Sequence, residues 1–187
     1  MKALSYAAKT LLITSLLVLA GSTIGALNAS AAKAPRTVSS YESWLNQQVH
    51  HKLAMLPWYG VFDNLEYQIN GSDVTLEGQV VTDVTKSDAE AAVKSIEGVT
   101  RVVNNIQVLP VSPFDDQIRR AEYRAIYSQP QLSRYAMGVG PQIHIIVNRG
   151  HVTLEGVVAN EADRDVAGLC ANRVPGVFSV TNNLRVD

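Results

Sequence analysis

The chain repeats itself. Val74-Thr75-Leu76-Glu77-Gly78 recurs as Val152-Thr153-Leu154-Glu155-Gly156, an offset of 78 residues. At the same offset Gly98-Val99 recurs as Gly176-Val177 and Asn104-Asn105 as Asn182-Asn183. No gap is needed between Asn70/Asn148 and Val108/Val186. Two copies make a tandem of small domains, whereas a solenoid stacks many repeats. Each copy has about 70 residues, near the size at which a single core becomes marginal. Mutual packing of the copies is therefore expected.

Both copies read as helix, strand, strand, helix, strand. In the first, Ser39 and Glu42 form a capping box. Tyr41, Leu45, Val49, Leu53 and Leu56 follow at helical spacing, and Pro57 ends the helix. Strict alternation comes next. With Gly71-Ser72 as the hairpin turn, Tyr67, Ile69, Val74, Leu76 and Val80 share one face. Glu66, Gln68, Asp73, Thr75, Glu77 and Gln79 share the other, so one face is buried and one is wet. The second helix carries Ala89, Ala92, Val93 and Ile96, matched by Ala167, Cys170, Ala171 and Val174. Gly98 and Gly176 are expected as their left-handed stops. Copy two opens with Ser112 as N-cap, Pro113 at the first helical position and Asp115 at the third. The predicted class is α+β, two tandem αββαβ domains at 39–110 and 112–187. Each is a three-stranded mixed sheet with two helices on one face, joined by a short proline-stiffened connection.

The first 31 residues form a different material. Lys2 and Lys9 precede an apolar run, Leu11–Ala20, and Ala29-Ser30-Ala31 is a small-residue cleavage site. This is the pattern of a secretory signal peptide cut near Ala31, followed by a spacer at 32–38. An uncleaved anchor is the rival, but Leu11–Leu27 is short and is interrupted by Ser, Thr and Gly, against the ~20 apolar residues of a spanning helix. Removing the leader takes away two lysines and no acid, so the product is more acidic than the whole-chain net charge of −1. That balance argues against nucleic acid as a partner. One cysteine, Cys170, excludes an internal disulfide framework. The expected location is the periplasm.

The hairpin Gly150-His151-Val152-Thr153-Leu154-Glu155-Gly156-Val157-Val158 and the ending from Pro175-Gly176-Val177 to Val186 resemble the BON domain family. Gln129-Pro130-Gln131-Leu132 is similar to the family's Asp-Pro-x-Leu, with Gln for Asp. Copy one departs from it at Leu56–Phe62 and has Ser72 in place of the glycine before the hairpin strand. An exported pair of such domains resembles the osmotically inducible periplasmic proteins of Gram-negative bacteria. The resemblance implies binding to phospholipid or envelope surfaces, under osmotic or envelope stress, and no catalytic activity.

The motif residues themselves have structural readings. Gly78 and Gly156 lie on the apolar face of their strands, where a missing side chain would let a helix lie close. Asn104 and Asn182 need partners if buried, and backbone near the preceding Gly-Val turn is the expected one; lipid phosphate is the sharper alternative. Gly150 precedes the second hairpin strand. His50 and His51 are sequential on a helix and so diverge, while His144 lies across from Glu155 on the wet face and His151 flanks the turn beside Asn148, a weak surface pair without a third ligand. Glu161, Asp163 and Asp165 complement a helix start. Cys170 aligns with Ala92 and reads as packing. No nucleophile motif, phosphate loop or cofactor site is present, and no small-molecule substrate is identified.

The candidate contacts with membrane or partner are the loop aromatics Trp58, Tyr59 and Phe62, with Tyr135 in the matching region of copy two, and the basic cluster Arg119, Arg120 and Arg124. The alternative for the aromatics is closure of the small cores or contact between the copies. The expected function is an exported, non-enzymatic binding protein that docks on phospholipid. The alternative is a protein-interaction module that stabilises an envelope complex.

Overall fold

The computed structural model describes residues 38–137, 140 and 142–187. The expected leader at 1–31 and nearly all of the expected spacer lie outside the described residues. Copy one consists of α1 (Val38–Ala54), the hairpin β1 (Asn64–Asn70) and β2 (Asp73–Val80), α2 (Asp83–Lys94), and an interrupted last strand, β3 (Arg101–Asn104) and β4 (Gln107–Val108). Copy two repeats it with α3 (Pro113–Tyr127), β5 (Ile143–Asn148), β6 (His151–Val158), α4 (Glu161–Ala171), β7 (Ser179–Asn182) and β8 (Arg185–Val186). A 3-10 turn, Ser133–Ala136, follows α3.

In each copy the hairpin is antiparallel and the last strand runs parallel to the central one. Val74 pairs Val102 and Val152 pairs Val180. The parallel pairing requires a crossover, and α2 and α4 supply it. The result is the predicted three-stranded mixed sheet, twice. The predicted stripes fill the cores: Leu45, Val49, Leu53, Val74, Leu76, Val80, Ala89 and Val93 in copy one, and Ala167 and Ala171 in copy two, where Ile118 and Ile126 of α3 and Val152 and Leu154 of β6 join them.

Three local expectations are revised. Ser39 lies inside α1 rather than at its cap, because the helix already includes Val38. Gly98 and Gly176 do have positive φ, 90° and 91°, but α2 and α4 stop earlier at Ser95 and Asn172, and the glycines finish the following turn. Gly78 and Gly156 do not make room for a helix. Each has φ above 110°, and a Cβ would meet the carbonyl oxygen of Asn64 at 2.1 Å or of Gln142 at 2.0 Å, on the neighbouring strand. Backbone conformation and a strand-to-strand approach demand glycine here.

Asn104 and Asn182 find a partner other than the Gly-Val turn. Asn104 donates to the Lys86 carbonyl at 3.1 Å and accepts from the Ile106 amide at 3.2 Å. Asn182 does the same with Arg164 at 2.8 Å and Leu184 at 3.3 Å. Each asparagine ties the crossover helix to the break in the last strand and satisfies an amide that the break would leave unpaired. Opposite the asparagine, copy one uses Glu90, which accepts its amide at 2.9 Å, and copy two uses Gly168, where a Cβ would sit 2.8 Å from Asn182 Nδ2.

Replacing Gly78 or Gly156 by alanine should therefore cost about 3 kcal/mol, the sum of a disfavoured φ and a backbone clash. Urea denaturation checks this; a loss below about 0.5 kcal/mol, the size of an ordinary surface change, would contradict it.

Candidate docking surface

The segment after α1 is fixed from within. Pro57 prevents the helix from continuing. Asp63, buried, accepts the amides of Gly60 at 3.0 Å and Val81 at 2.7 Å, which folds 60–63 into a tight loop against the end of β2. Burial raises the Asp63 carboxyl above its ordinary value, against the two amide bonds that lower it.

So shaped, the loop straps onto copy two. The Val61 carbonyl accepts the Ile145 amide at 2.7 Å, on the free edge of β5. Tyr59 stacks on His144 with ring centroids 5.4 Å apart. Phe62 meets Tyr123 of α3 edge-on at 6.4 Å, and with Val61 it packs against the core of copy two. Tyr59 and Phe62 thus belong to the contact between the copies and are not free for a membrane. Trp58 alone of this group points out, at 69% exposure. The strap also explains why His144 is buried: its strand, expected to be wet on one side, is covered on both. Burial lowers the His144 pKa by disfavouring the charged ring, against Asp63, which raises it.

Two further expected contacts turn out to be internal. Arg119 is 3% exposed, donating to the Val147 carbonyl at 2.7 Å and to Asp116 at 2.6 Å. Tyr135 is 3% exposed; its hydroxyl accepts the Ala159 amide at 2.9 Å and donates to Asp163, which Arg134 also reaches. Asp163 is therefore more than a helix-start acid, and the Tyr135 hydroxyl and then Arg134 hold its carboxyl below the ordinary value. Arg120 and Arg124 remain exposed. Cys170 is half-buried in the stripe, with its thiol pushed up by burial.

Exposed apolar side chains gather at the turn end of copy two, which sequence reasoning missed. Asp115, fully buried, accepts the amides of Arg149 at 2.9 Å and Gly150 at 2.8 Å. Arg149 and Gly150 both have positive φ, the two-residue turn that suits the hairpin twist. The clamp brings the start of α3 beside the hairpin tip. Phe114 packs on Gly176, Phe178 packs on Gly150, and the two rings lie 6.2 Å apart. Phe178 is 70% exposed, Phe114 is exposed too, and Val111, just before the helix, is 96% exposed. Arg149 is solvent-facing next to them. Copy one closes the same end with polar groups: Tyr41 donates to the Gly98 carbonyl at 2.8 Å, and Thr100, the counterpart of Phe178, bonds Asp73 at 2.9 Å.

Among the described residues, no group of three or more His, Cys, Asp or Glu side chains is placed to hold a metal ion, and no helix is long and apolar enough to cross a membrane. The geometry is that of a paired αββαβ unit with an aromatic tip. A family model, the BON domain, matches residues 41–110 and 129–187, and the chain belongs to that family. No curated protein matches the sequence. Similar solved structures include the C-terminal domain of CdsD, a structural protein of the type III secretion system of Chlamydia trachomatis. It is 13% identical, with 76% of this chain and 97% of that chain covered and a TM-score of 0.31. A second CdsD structure is 13% identical over 77% of this chain and 92% of that one, with a TM-score of 0.30.

Truncating Phe62 to alanine should destabilise copy two by about 2 kcal/mol, since a half-buried aromatic leaves its core. Urea unfolding followed by Tyr and Trp fluorescence checks this, and an unchanged midpoint would contradict it. Glu122 gives a second expectation. It is fully buried in α3, neither of its oxygens has a partner, and burial pushes its pKa from 4.5 up to about 8. Between those values the unfolded chain has lost the proton that the folded chain keeps, so stability falls as pH rises from 4.5 and levels off above about 8. Glu122→Gln should flatten that decline, worth a few kcal/mol at about 1.4 kcal/mol per pKa unit. Chemical denaturation at pH 5 and pH 9 reads it, and an unaltered slope would contradict it.

Proposed function

We propose that the protein is an exported, non-enzymatic binding protein of the cell envelope that docks on phospholipid through the tip of copy two. The signal-peptide pattern at 1–31 supports export, and membership of the BON domain family supports a role at membrane or envelope surfaces. The observation that carries the choice of surface is the Phe114–Phe178 pair, exposed side by side at a hairpin turn next to Arg149. The repeat itself does not demand an aromatic residue at this position, because copy one closes the equivalent turn with Thr100. Rings at a loop tip can enter the interfacial layer of a bilayer, and a neighbouring arginine meets lipid phosphate. Trp58 is a single exposed ring without such a partner.

Co-sedimentation with phosphatidylcholine vesicles and with phosphatidylcholine–phosphatidylglycerol vesicles at low salt tests this. The protein should pellet with both and more strongly with the anionic set. Phe178→Ser should weaken binding about tenfold, the expected loss for one buried aromatic side chain. Loss of binding with Trp58→Ser but not with Phe178→Ser would overturn the choice of surface. No binding to either vesicle would remove the lipid reading and leave the protein-interaction module.

A further inference from the structure

Each of the two sheets has two edges, and among the described residues all but one of these edges are blunted or capped. The last strands break after Asn104 and after Asn182, so neither presents a continuous edge. On β5 the outward backbone groups are met one after another. The Tyr127 hydroxyl donates to the Ile143 carbonyl at 2.6 Å, the Val61 carbonyl accepts the Ile145 amide at 2.7 Å, and Arg119 donates to the Val147 carbonyl at 2.7 Å. The edge of β1 is left open.

The hairpin register shows which groups that edge presents. Leu76 stands opposite Tyr67, and the Leu76 carbonyl is taken from the other side by the Asn105 amide at 2.8 Å. Tyr67 therefore turns its own amide and carbonyl away from β2, and Ile69, two residues on, does the same. The Leu65 backbone has the Tyr59 hydroxyl beside it. Among the described residues, the outward backbone groups of Tyr67 and Ile69 have no partner. The strand also lacks the usual protections, since its 7 residues hold an unbroken register and include neither proline nor lysine. Beside its first half lies a cleft of about 1020 Å³, bordered by Leu65, Glu66 and Tyr67, so a further strand has room to enter.

The strand is complementary to itself. Set antiparallel to a second β1 about Gln68, Tyr67 faces the partner's Ile69 and Ile69 faces the partner's Tyr67, and each pair exchanges both backbone hydrogen bonds. Each pair also sets an aromatic ring beside a β-branched side chain, a favoured cross-strand combination. On the other face Gln68 meets the partner's Gln68, amide to amide, and Glu66 meets the partner's Asn70, whose amide donates to a carboxylate. A register that set Glu66 against the partner's Glu66 would oppose like charges. The complementarity therefore selects a second copy as the occupant and Gln68 as the centre.

We propose that the protein forms a two-fold homodimer through β1, in which the first sheets of two chains join into one across Gln68. The surface is separate from the aromatic tip and stands or falls independently of lipid docking.

Sedimentation velocity from micromolar to sub-millimolar protein tests it and should show a monomer–dimer equilibrium. Gln68→Glu and Gln68→Lys each set like charges opposite one another, so each should weaken the dimer about fivefold, and mixing the two variants should restore it. Gln68 is exposed, so both variants should keep the parent's urea midpoint at a concentration where the parent is monomeric. In a Cys170→Ala background, Gln68→Cys should give a disulfide-linked dimer on mild oxidation, because Cα atoms at such a pair lie about 4.5 Å apart. A protein that stays monomeric throughout would overturn the proposal and leave the edge to a strand from another protein. A dimer indifferent to both charge variants, or one that Gln68→Cys does not link, would overturn it by placing the contact elsewhere.

Discussion

The arrangement of the two copies depends on a short strap. Val61 supplies one carbonyl to the free edge of β5, and Phe62 and Tyr59 flank it, one in the second core and one on His144. A strand edge is a row of unpaired backbone groups that a protein must cover or blunt. Here copy one covers part of it with a loop rather than with a strand. Because the loop leaves α1 at Pro57 and is anchored by Asp63 to the end of β2, covering that edge also fixes which way the first sheet faces. The two polar sheet faces consequently line a common groove, and the helices that cover their apolar faces are turned away from it.

The same contact divides labour between repeats of nearly identical design. Copy two is the more heavily buried, and it holds the polar groups that copy one lacks in its interior: Asp115 on the hairpin turn, Arg119 on the Val147 carbonyl, Glu122 without a partner, and Asp163 held by Tyr135. Satisfied buried groups of this kind specify geometry more than they add stability, and the Asp115 clamp is the clearest case, since it sets the hairpin tip that carries Phe178. Arg119 is satisfied only in part, since its Nε has no partner, and Glu122 has none at all. Glu122 remains a cost that falls on copy two alone.

Much of the fold was legible in the residues. The offset of 78, the alternation in the hairpins, the helical stripes and the Ser112-Pro113 start all reflect local periodicity and capping, which the chain states directly. The site was legible only in part. Periodicity tells which residues share a face, not what covers that face, so His144 on the expected wet side proved buried and Arg119 in an expected basic cluster proved internal. Gly78 and Asn104 were recognised as structural, yet their partners come from a neighbouring strand and a helix that no spacing could name. Phe178 had one available signal: it breaks the repeat, standing where copy one has Thr100.

The strap is most directly tested by amide hydrogen exchange at Ile145. If Val61 caps this edge, the Ile145 amide exchanges as slowly as the ladder amides of β6, although β5 has no neighbouring strand on that side. Exchange at the rate of a solvent-exposed edge amide would show that the copies are not joined in this way, and the common groove would lose its basis.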